Sequence, residues 1–183
     1  MQFETTSLND AWLIRLEPNR DSRGFFARTF CREEFGAHGL ETTFPQHSIS
    51  FSARKGTVRG MHYQREPHGE VKVVRCVRGK IWDVIIDIRS DSPTYRRWQG
   101  FELSDSNGCE LYIPKGFAHG FQTLTDDVEV HYLISEFYKP EAASGIRYND
   151  ASFDIVWPLF VSEISEKDRC WSDFLPTTGE TVL

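Results

Sequence analysis

The sequence predicts an all-β protein whose short strands form a sandwich, a jelly roll or a barrel. Aromatic residues make up 14% of the chain, which also contains 13 Gly and 8 Pro. Apolar and polar residues alternate in short runs that end at turn-forming residues, a pattern typical of strands. Helical signals are confined to two short segments, so strands are expected to form the core.

The clearest strand is Lys80–Arg89, which ends at the turn-like segment Ser90–Pro93. Short helices are expected over Arg32–His38, before Gly39, and over Ser165–Trp171. The remaining strands are predicted at Trp12–Glu17, Phe25–Phe30, Gln46–Ser52, Thr57–Gln64, Glu70–Arg78, Trp98–Leu103, Cys109–Ile113, Ala118–Thr123 and Glu129–Glu136. We find no repeat and no linker, so residues 1–183 are expected to form one domain with a loose tail at 176–183.

Charge and composition limit the partners that the chain is expected to bind. A net charge of -6 and a pI near 5.5 argue against nucleic acid, because phosphate binding requires a basic face. The N-terminus has no signal-peptide pattern and no apolar stretch is long enough to cross a bilayer, so no membrane partner is expected. The four cysteines are widely separated and lack zinc-site spacing. We therefore expect a cytoplasmic protein.

One stretch contains residue types suited to removing a proton next to a carbonyl group. Arg59 and His62 lie in the segment Arg59–Gln64, and Lys72 lies in the next alternating strand. Histidine is the most common general base, and a cation can hold the charge that develops on a carbonyl oxygen. Strand alternation allows His62, Lys72 and Tyr132 to point into one interior.

A second motif, Gly108–His119, has the spacing G-x5-P-x-G-x2-H and resembles the second motif of the cupin superfamily of small β-barrels. Many cupins bind a metal through an H-x-H pair and a glutamate in the first motif, together with the histidine of the second. Here Gln64 stands where the second histidine of that pair would be. Two histidines without a firm carboxylate are a poor transition-metal site, so no metal is expected. We predict that His119 is a hydrogen-bonding residue of the site.

Further segments make the resemblance closer than a superfamily. In order and spacing they resemble the dTDP-4-dehydrorhamnose 3,5-epimerase family from about residue 3 to about residue 174. These segments are Asp21–Phe26, Arg59–Gln64, Ser92–Thr94, Ile113–Phe121, Asn149–Asp150 and Ser165–Asp168. The resemblance implies a cupin-type jelly-roll barrel that works without a cofactor. It also implies inversion of carbons beside the C4 ketone of a nucleotide-diphosphate sugar, in deoxysugar and cell-surface polysaccharide biosynthesis.

The resemblance implies roles for individual residues. His62 matches the proton acceptor, Asp168 the aspartate that orients its imidazole, and Tyr132 the proton donor on the opposite sugar face. Lys72 is expected to stabilise the enolate oxygen, with His119 nearby. Further substrate-binding positions are Arg23, Arg28, Gln46, Ser48, Arg59, Tyr138 and Lys167, of which Tyr138 resembles the aromatic that packs on the base.

Four positions depart from the family's pattern. Arg28 stands where the family usually has glutamate, and Ser48 stands where it has asparagine. Glu70 replaces a glutamine, and Ala143 replaces a glutamate. None of the four is a predicted catalytic residue, so the reaction type is clearer than the substrate. The nucleotide is expected to be dTDP, CDP or GDP, and the sugar a 6-deoxyhexose or a heptose.

Several functions stay open at this point. Two are related isomerases: an epimerase that inverts C3 alone, and an enzyme that moves the ketone between C3 and C4. Two more come from different classes, namely a non-catalytic cupin that binds a nucleotide sugar or another small anion, and a metal-dependent cupin oxygenase or isomerase. The family also implies a homodimer in which N-terminal strands cross over and bring Arg23 and Phe26 to the partner's site.

Overall fold

The computed structural model describes residues 1–175, and strands make up nearly all of its regular structure. The all-β prediction is therefore confirmed. The strands are β1 (Gln2–Thr5), β2 (Trp12–Arg15), β3 (Asn19–Asp21), β4 (Gly24–Phe26), β5 (Gln46–Ser52), β6 (Thr57–Gln64), β7 (Lys72–Arg78), β8 (Lys80–Asp87), β9 (Trp98–Ser104), β10 (Cys109–Ile113), β11 (Phe117–Thr123), β12 (Val128–Ile134), β13 (Ala143–Gly145) and β14 (Glu163–Ile164). The helices are α1 (Arg32–Ala37) and α2 (Glu166–Arg169).

Two large sheets form the barrel. The first has the strand order β1-β2-β10-β7-β12-β5, and the second has the order β13-β6-β11-β8-β9. All pairings in these orders are antiparallel, while β14 adds to β6 in parallel. Strands β3 and β4 form a separate hairpin. The order of both sheets is far from the order of the sequence, as expected for a jelly roll.

An apolar cluster fills part of the space between the two sheets. Buried residues from both sheets pack in one cluster, including Val74 and Val130 of the first sheet and Ile85 and Phe121 of the second. A cavity lined by both polar and apolar side chains also opens between the sheets. The four cysteines are free thiols. In residues 1–175 no helix is long and apolar enough to span a membrane.

The predicted strand Phe25–Phe30 is wrong over most of its length. Only Gly24–Phe26 is extended, and it pairs with Asn19–Asp21. The chain then leaves the hairpin, and the Phe30 ring packs edge-on against Phe35 of α1, with 4.9 Å between ring centroids. Phe30 thus packs against a helix, whereas Phe25 and Phe26 are exposed on the hairpin. The loose tail predicted for 176–183 lies outside the described residues.

Sequence reasoning also missed β1, β3, β13 and β14. These elements have two to four residues each. So short a segment carries too few residues to show alternation, and its pairing depends on neighbours that are distant in the sequence. The two predicted helices are confirmed with shorter bounds.

Candidate active site

A cavity of about 900 Å³ lies between the two sheets of the barrel. Ten of the twelve residues predicted for the site line it. They are Gln46, Ser48, Arg59, His62, Lys72, His119, Tyr132, Tyr138, Lys167 and Asp168. The altered positions Glu70 and Ala143 line it as well. The cavity therefore contains both the predicted catalytic residues and most of the positions that depart from the family's pattern.

The remaining two predicted residues, Arg23 and Arg28, do not line this cavity. Arg23 is exposed at the turn of the β3–β4 hairpin, where its guanidinium bonds to Asp21 at 2.6 Å. Arg28 is exposed just after the hairpin. Within one chain, neither arginine is brought to the catalytic residues.

His62 and Asp168 form a pair in the lining of the cavity. His62 Nε2 lies 2.6 Å from Asp168 Oδ1. His62 comes from β6, whereas Asp168 comes from α2, which begins after Ser165. The Ser165 hydroxyl accepts a hydrogen bond from the Asp168 backbone N–H at 3.1 Å and so caps the helix. The parallel pairing of β14 with β6 holds this helix beside the histidine.

The charge state of Asp168 decides which nitrogen of His62 accepts a proton. Burial alone would raise the pKa of Asp168, but hydrogen bonds from His62 and the Gly60 backbone, with attraction to His62, lower it. Asp168 is therefore a carboxylate and can only accept hydrogen bonds. His62 Nε2 must carry the proton of the 2.6 Å bond. Nδ1 is then the free acceptor, so it is the atom that can remove a proton from a substrate.

A close approach of two strands places His62. Gly60 has φ +130°, and a Cβ atom built on it would lie 2.4 Å from the Cα atom of Gly120 on β11. Any other residue would clash with backbone there. The Gly60 N–H also donates to Asp168 Oδ2 at 3.3 Å. This glycine thus fixes both members of the pair two residues before the histidine.

Tyr132 reaches the cavity from the other sheet. Its neighbours across β5 and β7 are Ser48 and Val74. The phenol oxygen lies 3.0 Å from the Ser50 hydroxyl. Burial raises the pKa of Tyr132 far above its ordinary value, and the hydrogen bond to Ser50 only partly offsets this. The phenol is therefore protonated near neutral pH and can donate a proton.

Two further polar pairs lie beside the histidine and the tyrosine. Lys72 Nζ lies 2.8 Å from Glu70 Oε1. His119 Nε2 lies 2.9 Å from Asp83 Oδ2, and the His119 ring is edge-on to Tyr132 with 6.4 Å between centroids. Burial raises the pKa of Asp83, against the attraction and hydrogen bond of His119. The predicted hydrogen-bonding role of His119 fits this contact.

The cavity walls carry cations and a half-exposed aromatic. Arg59 crosses from β6 to β5, donating to the Ser52 hydroxyl at 2.9 Å and to the Phe51 carbonyl at 2.7 Å. Tyr138 is 58% exposed, and its backbone N–H donates to Gln46 Oε1 at 2.8 Å. The Lys167 ammonium lies 5.3 Å from the centre of the Trp171 ring. Such groups can bind a phosphate and stack on a flat ring.

Sequence reasoning missed Ser50 and the structural role of Gln64. A signal for Ser50 was present, because Gln46, Ser48, Ser50 and Ser52 alternate along β5 and so share one face. No signal pointed to Gln64 as an anchor, since its partners come from loops. Residues 1–175 contain no group of three or more His, Cys, Asp or Glu side chains placed to hold a metal ion.

The arrangement provides a base, a cation and a protonated phenol around one cavity. The base comes from the second sheet, and the cation and phenol come from the first. A ligand between the sheets is in reach of all three. These residue types are suited to removing a proton beside a ketone and to returning one from another direction.

Known proteins that resemble this chain in sequence and structure are sugar epimerases. The family model for dTDP-4-dehydrorhamnose 3,5-epimerase matches residues 5–175. A dTDP-4-dehydrorhamnose 3,5-epimerase of Methanothermobacter thermautotrophicus is 47% identical over 174 residues, which cover 93% of this chain and 92% of the relative. A dTDP-4-dehydrorhamnose 3-epimerase of Streptomyces niveus is 34% identical, covering 92% and 82%. The crystal structure of the Bacillus anthracis 3,5-epimerase with TDP and PPi bound has a TM-score of 0.92 and 38% identity, covering 94% and 99%.

Proposed function

The chain belongs to the dTDP-4-dehydrorhamnose 3,5-epimerase family, and from this premise we propose that it inverts C3, C5 or both in a nucleotide-diphosphate 4-keto-6-deoxysugar. The reaction is a pair of proton transfers through an enolate and uses side chains alone. The observation that carries the proposal is the 2.6 Å contact between His62 and Asp168 in a cavity shared with Lys72 and Tyr132.

The first step is removal of a proton from a carbon next to the C4 ketone. His62 Nδ1 takes this proton, and the carboxylate of Asp168 stabilises the imidazolium that forms. The electron pair of the broken C–H bond moves onto the ketone oxygen and gives an enolate. The ammonium of Lys72 stabilises that oxygen, because a fixed cation in a cavity is a strong partner for a developing charge.

The second step is return of a proton from the other face of the ring. The phenol of Tyr132 gives its proton to the enolate carbon while Ser50 holds its oxygen at 3.0 Å. Burial raises the pKa of Tyr132, which keeps the proton on the phenol until the enolate forms. Since His62 and Tyr132 stand on opposite sheets, removal and return occur from different sides. Inversion follows.

The nucleotide diphosphate is assigned to the cationic wall of the cavity. Arg59, Lys167 and Tyr138 all line the cavity, which supports a role for the two cations at the phosphate oxygens and for the aromatic ring against the base. The relatives named above act on or bind thymidine nucleotides, so a dTDP-sugar is the substrate to try first. Ser48 and Ala143 present smaller groups than the family pattern, which leaves room for a different sugar.

We also propose a homodimer in which the β3–β4 hairpin of one chain completes the cavity of the other. The hairpin exposes Phe25 and Phe26, at 56% and 70%, together with Arg23. Strand β5 lies at the edge of the first sheet and exposes Ile49 at 59%. An open strand edge beside apolar side chains favours pairing with another strand. A second copy of the hairpin would supply that strand and bring Arg23 to the cavity.

Solvent exchange tests the proposed reaction. The protein is incubated in D₂O with dTDP-, CDP- and GDP-linked 4-keto-6-deoxyhexoses, and deuterium at C3 and C5 is followed by NMR and mass spectrometry. The proposal expects deuterium at one or both carbons, together with the inverted product. Exchange confined to C3 selects the narrower 3-epimerase activity. No exchange with any of these sugars would exclude epimerisation, and ligand binding without exchange would indicate a non-catalytic binding protein.

A further inference from the structure

The ammonium of Lys72 is held inside the cavity by a second carboxylate. Lys72 Nζ lies 2.8 Å from Glu70 Oε1, and both side chains are 10% exposed. Nζ also donates to the His62 carbonyl oxygen at 3.4 Å. An ammonium has three N–H donors, so among residues 1–175 one donor remains without a protein partner. Because Lys72 lines the cavity, that donor is available to a bound ligand.

Glu70 is itself fixed by Gln64. The Gln64 amide nitrogen donates to Glu70 Oε2 at 3.0 Å and to the carbonyl oxygens of His68 and Phe137 at 3.2 and 3.3 Å. The Gln64 amide oxygen accepts from the Lys139 backbone N–H at 2.6 Å. If the amide were rotated by half a turn, its oxygen would face the carbonyl and carboxylate oxygens, and its N–H groups would face the Lys139 N–H. The orientation of Gln64 is therefore determined by backbone groups.

The consequence for Glu70 is that both of its oxygens are used. One faces the Gln64 donor and the other faces the Lys72 ammonium. A lysine has a flexible four-carbon stem and many rotamers, so its head group stays in place only when a partner holds it. The negative charge of Glu70 repels an enolate, so any benefit to the reaction must come from placing the donor.

We propose that Glu70 is a positioning residue that fixes the Lys72 ammonium at the enolate oxygen, and that Gln64 anchors Glu70 for this purpose. This inference rests on the proposed function, because it requires Lys72 to act on the enolate. It assigns a role to a carboxylate at one of the positions where the chain departs from its family. It also gives a function to Gln64, which stands where many cupins have a metal ligand.

Kinetics separate positioning from a general structural effect. In Glu70→Ala, Lys72 loses its partner, and we expect kcat to fall by about 10²-fold, as for a small misplacement of a reacting group. KM should stay within about threefold, because the lost interaction acts on the transition state. Glu70→Gln keeps one acceptor for Lys72 but sets its own amide N–H groups against the Gln64 donors, so it should recover only part of kcat. Glu66→Ala is the matched control, since Glu66 is an exposed carboxylate of the same loop outside the cavity.

A second measurement reports on Lys72 without turnover. The ¹H–¹⁵N signal of a held, buried ammonium is observable because it exchanges slowly with water. We expect the Lys72 signal, identified by its loss in Lys72→Arg, in the wild type and in Glu66→Ala. It should broaden or vanish in Glu70→Ala. Circular dichroism of each variant shows whether the fold is retained.

The outcomes distinguish this inference from the proposed function. Wild-type kcat in Glu70→Ala, a loss expressed in KM alone, or an unchanged Lys72 ammonium signal would overturn the positioning role. A wild-type protein that exchanges no deuterium with any sugar overturns the proposed function instead. In that case the NMR comparison still decides whether Glu70 holds Lys72.

Discussion

His62 Nε2 and Asp168 Oδ1 lie 2.6 Å apart, although the two residues are separated by 106 positions in the sequence. Asp168 is buried, whereas the His62 side chain is 44% exposed to the cavity. The carboxylate thus holds the inner nitrogen of the ring and leaves the outer nitrogen to a ligand. Loss of either residue should therefore impair proton removal.

Removing either member of the pair should abolish most of the activity. His62→Ala is expected to lower kcat by about 10³-fold, because a general base contributes between about 10² and 10⁴. Asp168→Asn should lower kcat by about 10²-fold, since an amide neither fixes the tautomer nor stabilises the imidazolium. Deuterium exchange at C3 and C5 measures both effects. Asp154→Asn, an exposed aspartate outside the cavity, is the control and should behave like the wild type.

Tyr132→Phe should separate proton removal from inversion. The variant retains His62 and Lys72, so exchange of solvent deuterium into the starting sugar should continue. Return of a proton from the opposite side should fall by about 10²-fold, because the donor is lost. Chiral analysis of the product by NMR gives the ratio of inversion to exchange. Tyr95→Phe removes a buried hydroxyl outside the cavity and should leave that ratio unchanged. Equal loss of exchange and inversion in Tyr132→Phe would contradict the assignment of Tyr132 as donor alone.

Mixing two inactive variants tests whether the hairpin acts on the partner's cavity. Arg23→Ala and His62→Ala should each be nearly inactive. Unfolded together and refolded in equal amounts, they should recover about one quarter of wild-type activity, because half of the dimers are mixed and each contains one intact site. Sizing by light scattering reports the dimer. If Arg23 served its own chain, the mixture would stay inactive. An active Arg23→Ala variant would remove Arg23 from the site altogether.

Burial of Glu110 should make the stability of the protein depend on pH, independently of catalysis. Glu110 lies on β10, is 2% exposed, and one of its oxygens has no hydrogen-bond partner among residues 1–175. Burial raises its pKa from 4.5 to about 8, against the attraction of Arg75. At a pH between 4.5 and about 8, Glu110 keeps its proton in the native state but has released it in the unfolded state. The free energy of unfolding should therefore fall as the pH rises, by up to about 1.4 kcal/mol per pH unit.

Glu110→Gln should remove this dependence. The free energy of unfolding, from urea titrations at a fixed protein concentration, should exceed that of the wild type at about pH 8 and approach it at about pH 5. Glu102→Gln changes an exposed glutamate and should follow the wild-type curve. Parallel curves for Glu110→Gln and the wild type would mean that Glu110 is ionised in the native protein at neutral pH.

Long strands were predictable because each contains enough apolar residues to show a pattern. Strands β6, β8 and β12 have seven or eight residues, enough for an apolar run or an alternation to appear. The hairpin was not predictable in the same way. Its aromatic residues, Phe25 and Phe26, are exposed in a single chain, so they indicate a surface and not an interior strand.

Motifs pointed to the residues that we propose as catalytic, but not to the residues that support them. His62 and Asp168 belong to segments that resemble a family, and the structure brings them together. The bond between Tyr132 and Ser50 depends on the register of β12 against β5, which follows from the whole sheet. The contacts of Gln64 depend on loop backbone, and no residue pattern encodes such contacts.

Asp168 lies on α2, the last helix of the described chain. Every strand of the two sheets except β14 comes before residue 146 in the sequence. A polypeptide released early by the ribosome, or trimmed by a protease after residue 160, would retain β1 to β13 and still resemble the longer chain in size and strand content. It would lack the carboxylate that contacts His62. On the proposed mechanism, such a chain would contain the strands of the barrel without the complete set of reacting groups.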